Sequence, residues 1–348
     1  MKLPIDLRMQ FNKLLPLVAL TAMLSSKITC PQDETLTNNQ TLDMNKILNK
    51  KKITIVITDS GLGGLSVCAG IEDKLKQTAS FEEVNLIYFN ALPEKGKGYN
   101  SMPSAEVKAD VFNQALISME KKFSPDIILI ACNTLSVVYP LTQFARTSHT
   151  PVLGIVDFGV SMILSELGKN ADGEVLILGT PTTIKSGSHK RKLIENGVDE
   201  KNIIAEPCPN LESEIQDDPK SQAVEELINA CLNEALEKSN KFNEPIITAL
   251  CCTHYGFSID VFQSALKKIT TRESIILNPN ELMINSIVLD AYKNRFPNST
   301  INVQVVSRAI INDNEKEAIG GLIKSFAPLS ASALNNYEYN PELFEFHY

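Results

Sequence analysis

The chain has 348 residues, with 41 acidic side chains against 33 lysines and arginines, a formal charge of -8 and 43% hydrophobic residues. That length buries a large core in one or two domains, and the acidic balance excludes the basic footprint of a nucleic-acid binder. Seven cysteines with no Cys-x-x-Cys or Cys/His metal spacing exclude a zinc module and a disulfide scaffold, which leaves a small-molecule site as the expectation.

Lys2, Arg8 and Lys13 precede an apolar run from Leu14 to Leu24 that is too short to span a bilayer, so residues 1–30 read as a signal for export to the periplasm or cell envelope. Cys30 stands where a lipid-modified cysteine would, giving membrane attachment through the N-terminus only; a cytoplasmic extension is the alternative. Residues 31–50, rich in Asn, Thr, Gln and Lys, read as a flexible linker.

Folding signals begin with a β-branched strand at 53–58 that suits burial on both faces. Asp59-Ser60-Gly61-Leu62-Gly63-Gly64 follows and leads into a helix through Leu75. Such a turn either brings backbone amides to an anion or is a tight turn with Asp59 or Ser60 capping the helix. As a dinucleotide fingerprint it falls short, because Ser66 holds the third glycine position. Further strands are expected at 84–89, 126–131, 152–156, 174–178, 202–205, 246–250, 274–277 and 302–307. Helices are expected at 104–122, 157–167, 219–239, 258–269, 280–294 and 314–326. This alternation implies an α/β fold of parallel sheets covered by helices, with ligands beyond the carboxyl ends of the strands.

Two strands end in the same way. The run to Ala131 delivers Cys132-Asn133-Thr134, and the run to Leu250 delivers Cys251-Cys252-Thr253-His254. Cys68 and Cys231, by contrast, read as small buried hydrophobes. Cys132 and Cys252 are 120 residues apart, and the offset recurs between Ile57-Thr58-Asp59-Ser60 and Ile177-Leu178-Gly179-Thr180 and between Ile155-Val156 and Ile275-Ile276. The economical reading is two similar doubly wound lobes with parallel sheets related by a pseudo-twofold axis, the active site lying in the cleft between them. The expected partition is residues 51–150 with 273–327 as the first lobe, 151–272 as the second, and 328–348 as a C-terminal tail that packs on the body or on a partner.

Cys252 beside His254 could form half of a thiol hydrolase, but a second thiol facing it changes its role. A planar carbanion has two faces, and an enzyme that takes a proton from one and returns it to the other needs an acid/base on each side. Thiols serve once neighbours tune them. Asp59 and Ser60 are candidates to do so on one side and His254 on the other, while Asn133, Thr134 and Thr253 are suited to hold a substrate carboxylate or ammonium. No metal cluster, lysine-bound cofactor or complete nucleotide loop is visible, so chemistry without a cofactor is expected.

At these residues the chain resembles the aspartate/glutamate racemase superfamily and, within it, the glutamate racemase branch. The matching pieces run from Asp59 to Val67, from Ala131 to Thr134, from Pro151 to Ile155 and from Cys252 to Tyr255, and the resemblance spans about residues 53–327. It implies that Cys252 and Cys132 are the two bases interconverting L- and D-glutamate, an acidic amino-acid substrate, with the D-glutamate destined for peptidoglycan. It further implies substrate contacts from Tyr99, Asn100, Thr182 and Thr183, and a homodimer. Several positions depart from the family pattern: Gly98-Tyr99-Asn100 lacks its proline and final glycine, Cys251 replaces a glycine, Gly256-Phe257 replaces a proline and His189 replaces a tyrosine. The alternatives are a relative acting on aspartate, a hydantoin or another carboxylate, and a non-catalytic amino-acid-binding protein of the envelope.

Overall fold

The computed structural model describes residues 44–346. The expected signal over 1–30, Cys30 and the first part of the expected linker lie outside the described residues. The end of that linker is a helix, Met44–Leu48, because Met44, Ile47 and Leu48 recur at helical spacing and bury one apolar side. Arg295 holds it in place by donating to the Leu48 and Asn49 carbonyls at 2.9 and 3.0 Å.

The strands are β1 (Lys52–Asp59), β2 (Glu83–Asn90), β3 (Ile127–Ile130), β4 (Val152–Gly154), β5 (Glu174–Gly179), β6 (Ile203–Pro207), β7 (Ile246–Cys251), β8 (Ser274–Leu277), β9 (Thr300–Ser307) and β10 (Glu338–Tyr339). They form a six-stranded sheet in the order β10-β9-β2-β1-β3-β4 and a four-stranded sheet in the order β6-β5-β7-β8. Every pairing is parallel. β3 and β7 are buried along their whole length, as their continuous apolar runs require when helices cover both faces.

The order β2-β1-β3-β4 in one sheet repeats as β6-β5-β7-β8 in the other, so β1 corresponds to β5 and β3 to β7. The two cysteine turns therefore leave equivalent strands. The sequence repeat does not extend to Ile155-Val156, which open the helix Ile155–Leu167 while Ile275-Ile276 lie in β8. The strand stops at Gly154 because Ser136 Oγ, not a neighbouring strand, accepts the Ile155 amide at 3.1 Å.

Sheet membership also differs from the expected boundaries at 151 and 273. β4 pairs with β3 and belongs to the first lobe, whereas β8 pairs with β7 and belongs to the second. The chain crosses after these strands because their helices are exchanged. Ile155–Leu167 sets Val156, Val160 and Ile163 against Val175 and Ile247 of the second sheet. Pro279–Ile287 in turn lies on Leu65–Thr78 of the first lobe, where Gly70 leaves room for Ile284.

Three other segments depart from expectation. The helix expected over 219–239 begins at Gln222, where Ser221 accepts from the Val224 amide, and a short helix, Leu211–Asp217, precedes it. The helix expected over 280–294 ends at Ile287, where Val288 turns to φ -115, ψ 89. Residues expected as a C-terminal tail complete the first lobe: Pro328–Asn335 is helical, β10 pairs with β9, and the ring centroids of Phe344 and Phe89 lie 6.0 Å apart. Cys231, read as a free apolar thiol, is bonded to Cys208, the Cα atoms 5.5 Å apart. That bond ties Gln222–Glu237 to the segment leading into Leu211–Asp217.

Candidate active site

Asp59 ends β1 and is 1% exposed, so its carboxylate must find partners inside the protein. Its Oδ1 accepts from the Ser60 amide at 2.6 Å, and its Oδ2 accepts from the Gly64 amide at 2.5 Å and from Thr253 Oγ1 of the second lobe at 2.7 Å. The amides of the glycine-rich turn thus serve an anion, and that anion is the chain's own. The glycines also admit the opposite lobe: a Cβ on Gly63 would sit 2.6 Å from His254 Nδ1.

Cys132 follows β3 and stays extended, at φ -89, ψ 125, before the helix Asn133–Val138. Its Sγ lies 3.2 Å from Ser60 Oγ and accepts from the Leu135 amide at 3.5 Å. Burial, reinforced by the Asp59 carboxylate, pushes the thiol well above its ordinary range, while the Ser60 and Leu135 contacts pull the other way. Next to it, both side-chain atoms of Asn133, Nδ2 and Oδ1, are buried without a partner. So is the hydroxyl of Tyr99, whose ring packs edge-on against Phe112. A buried amide with both ends open is costly and is suited to a ligand carrying a donor and an acceptor.

Thr134 continues this polar lining into the second lobe, with its Oγ1 2.9 Å from Thr180 Oγ1 and 3.4 Å from Thr183 Oγ1. Thr182 points elsewhere, accepting from Lys108 Nζ at 2.8 Å. Lys108 is 9% exposed, and burial together with neighbouring Lys185 lowers its pKa. No carboxylate pairs with it among the described residues.

On the other side, β7 ends so that its two cysteines face apart. Cys251 packs with Val175, Ile177 and Ala249, whereas Cys252 packs with Leu211 and Tyr255 beside the site. Cys251, which stands in place of a glycine of the family pattern, is therefore core on the opposite face. Cys252 Sγ lies 3.8 Å from His254 Nδ1, and His254 Nε2 lies 3.0 Å from Gln216 Oε1. Burial first, then the Glu212 and Asp59 carboxylates, push the Cys252 thiol far up, and burial lowers the pKa of His254. Glu212 Oε1 accepts from Asn100 Nδ2 at 2.9 Å, while its Oε2 is buried without a partner.

The structure thus joins Asp59, Ser60, Cys132 and Thr253 in one hydrogen-bond network, sets the pair Cys252 and His254 beside it, and places Asn133, Thr134, Thr183 and Tyr99 around them. Asn100 and Thr182 make contacts across the lobes and take no part in that network. Sequence reading missed Lys108, Glu212, Gln216 and Glu315, the last of which accepts from Gln216 Nε2 at 2.8 Å. None of the four carried a local signal, because each meets its partner only through the fold. Cys132 and Cys252 are 5% and 6% exposed, so a substrate must part the lobes or the loop carrying Tyr99 to reach them. Two hollows of about 290 Å³ lie elsewhere, one lined by Thr54, Asn85 and Gln304 and the other by Lys190, Arg191 and Glu200.

Fold and site together define a two-lobed parallel α/β protein in which equivalent strands deliver one buried thiol each to a shared polar centre. The sequence model of the Asp/Glu/Hydantoin racemase family matches residues 55–267, and the chain belongs to that family. It is 32% identical to a glutamate racemase of Aquifex pyrophilus over 157 residues, which cover 44% of this chain and 54% of that protein, about half of its length. It is 26% identical to one from a Nitratiruptor species over 238 residues, covering 66% and 81%. Among solved structures, the glutamate racemase of Bacillus anthracis superposes with a TM-score of 0.59 at 18% identity, covering 84% of this chain and 96% of that one. The enzyme of Francisella tularensis in complex with D-glutamate gives 0.58 at 17%, covering 80% and 94%. At that identity these two matches establish the fold.

Proposed function

We propose that the protein is a cofactor-independent racemase that interconverts L- and D-glutamate by passing a proton between two thiols. One observation carries this reading: equivalent strands deliver Cys132 and Cys252 to one buried site joined by Asp59. In the L-to-D direction the Cys252 thiolate takes the α-proton, forming an S–H bond and leaving a planar carbanion. The Cys132 thiol then gives its proton to the opposite face and becomes the thiolate. The reverse reaction exchanges the roles.

The raised thiol pKa values fit this scheme. In the protein alone, burial and carboxylates suppress the thiolate. A substrate ammonium placed against Asp59 offsets that negative field and favours the thiolate where the α-proton lies. Asn133 and Tyr99 supply open polar atoms for the α-carboxylate. Buried Lys108, a cation lacking a carboxylate partner among the described residues, supports an acidic substrate.

Relatives that bear the name glutamate racemase support the choice of glutamate, and D-glutamate for peptidoglycan and a homodimeric state follow as parts of the same proposal. Export is proposed as well: the Cys208–Cys231 bond favours an oxidising compartment, and cell fractionation tests it. The activity test is incubation of L-glutamate with the protein in deuterated water. Deuterium at Cα together with D-glutamate supports racemisation. Exchange on aspartate or a hydantoin alone replaces the substrate, and ligand binding without exchange replaces the enzyme with a receptor.

A further inference from the structure

Gln216 is held so that its amide can face only one way. Its Oε1 accepts from the Leu62 backbone amide at 2.9 Å, a donor with no alternative role, and its Nε2 donates to Glu315 Oε1 at 2.8 Å, an atom that only accepts. Glu315 is itself fixed: its Oε2 accepts from the Asn312 amide at 2.8 Å in a capping box at the start of the helix Asp313–Ile323, with Lys95 Nζ 3.5 Å away. The ring nitrogen of His254 that meets Gln216 Oε1 at 3.0 Å therefore faces an acceptor and must carry the hydrogen. Its other nitrogen, Nδ1, is left with a lone pair, 3.8 Å from Cys252 Sγ.

We propose that Gln216, oriented by Glu315, is a positioning residue that locks His254 in the Nε2–H tautomer, so that Nδ1 is the base that takes the proton of the Cys252 thiol. In this step the S–H bond breaks and an Nδ1–H bond forms, giving a thiolate beside an imidazolium. Proton and charge balance without any further reactant. The inference rests on the two-thiol reading above, and it gives the Cys252 proton a place to go once a bound substrate favours the thiolate. Cys132 has Ser60 Oγ, an uncharged hydroxyl, in the corresponding place. The charged groups around the imidazole are Asp59 and Glu212, both of which favour its protonation, with Glu315 behind Gln216 and Lys95 behind Glu315. Glu315 lies outside the stretch 55–267 that matches the family and reaches the second lobe's histidine from a helix of the first.

The tautomer can be read directly by nitrogen NMR of histidine-labelled protein, whether or not the protein turns over glutamate. The expected spectrum of the unmodified protein at neutral pH places the His254 hydrogen on Nε2. In Gln216→Leu that preference is lost, and kcat for L-glutamate falls by about tenfold or more with little change in KM. In Gln216→Glu the new carboxylate raises the pKa of His254 and moves the acid limb of the rate profile upward. Should Gln216→Leu fail to fold, Glu315→Ala frees the amide to flip, and a mixture of tautomers is expected. An Nδ1–H histidine in the unmodified protein, or a folded Gln216→Leu with unaltered tautomer and pH profile, overturns the proposal. Correct tautomer behaviour without racemisation would overturn the two-thiol reading instead.

Discussion

Thr253 Oγ1, from the turn after β7, donates to Asp59 Oδ2, at the end of β1, over 2.7 Å. The two residues stand in different lobes, each next to a cysteine turn, so this bond is one of those that hold the two halves of the site together. Both partners are 1% exposed, which removes water as a substitute for either. Thr253→Val keeps the shape and removes the donor. Expected outcomes are a loss of about 1–3 kcal/mol in stability and a fall in kcat that exceeds any rise in KM, because the thiols lose alignment rather than the substrate its contacts. Denaturant unfolding and steady-state kinetics check the two parts, and a variant with unaltered kcat contradicts the role given to the bond.

The pH dependence follows from the direction of the thiol shifts. Burial and nearby carboxylates hold Cys132 and Cys252 above the ordinary thiol range, so the thiolate fraction of the free protein grows as pH rises. His254 is shifted the other way and remains neutral, able to accept a proton, through neutral pH. Because the Cys252 proton passes to His254 rather than to solvent, we expect kcat/KM for L-glutamate to rise at acid pH as His254 loses its proton and to stay level between about pH 7 and about pH 9, short of the raised thiol range. A circular dichroism assay of racemisation across that range measures it. A profile that climbs steadily across that range contradicts the transfer of the thiol proton to His254.

Lys108 gives a substrate prediction. It is buried, donates to Thr182 across the lobes at 2.8 Å, and has no carboxylate partner among the described residues. A distal substrate carboxylate would meet a cation there. Lys108→Met is expected to lower kcat/KM for glutamate by about tenfold or more, chiefly through KM. The glutamate-to-glutamine ratio of Cα deuterium exchange should collapse with it. Because that ratio is taken within one protein, partial unfolding cannot produce it. An unchanged ratio would show that Lys108 only fastens Thr182.

The strands could be read from the sequence because long β-branched runs such as 53–58 and 246–250 have no helical alternative of that length. The thiols were legible because each ends such a run. Which lobe owns β4 and β8 was not, since local pattern says only that a strand forms, and the exchange of the helices after them is decided by packing. The helix Leu211–Asp217 was missed because it is short and mostly polar. The contacts that tune the site were hidden for a different reason. Gln216 meets His254 across 38 positions and Glu315 across 99, and nothing local marks an amide as the partner of a distant imidazole. The disulfide had the same obstacle, because two cysteines 23 positions apart carry no sign that the fold brings them together.

The central claim is that Cys132 and Cys252 act on opposite faces of one carbon. Its most direct measurement is racemisation by Cys132→Ala and Cys252→Ala, each compared with the unmodified protein on L- and D-glutamate in deuterated water. Neither variant should interconvert the enantiomers, while the unmodified protein should return each product enantiomer carrying deuterium at Cα. Full racemisation by either variant would contradict the two-thiol account.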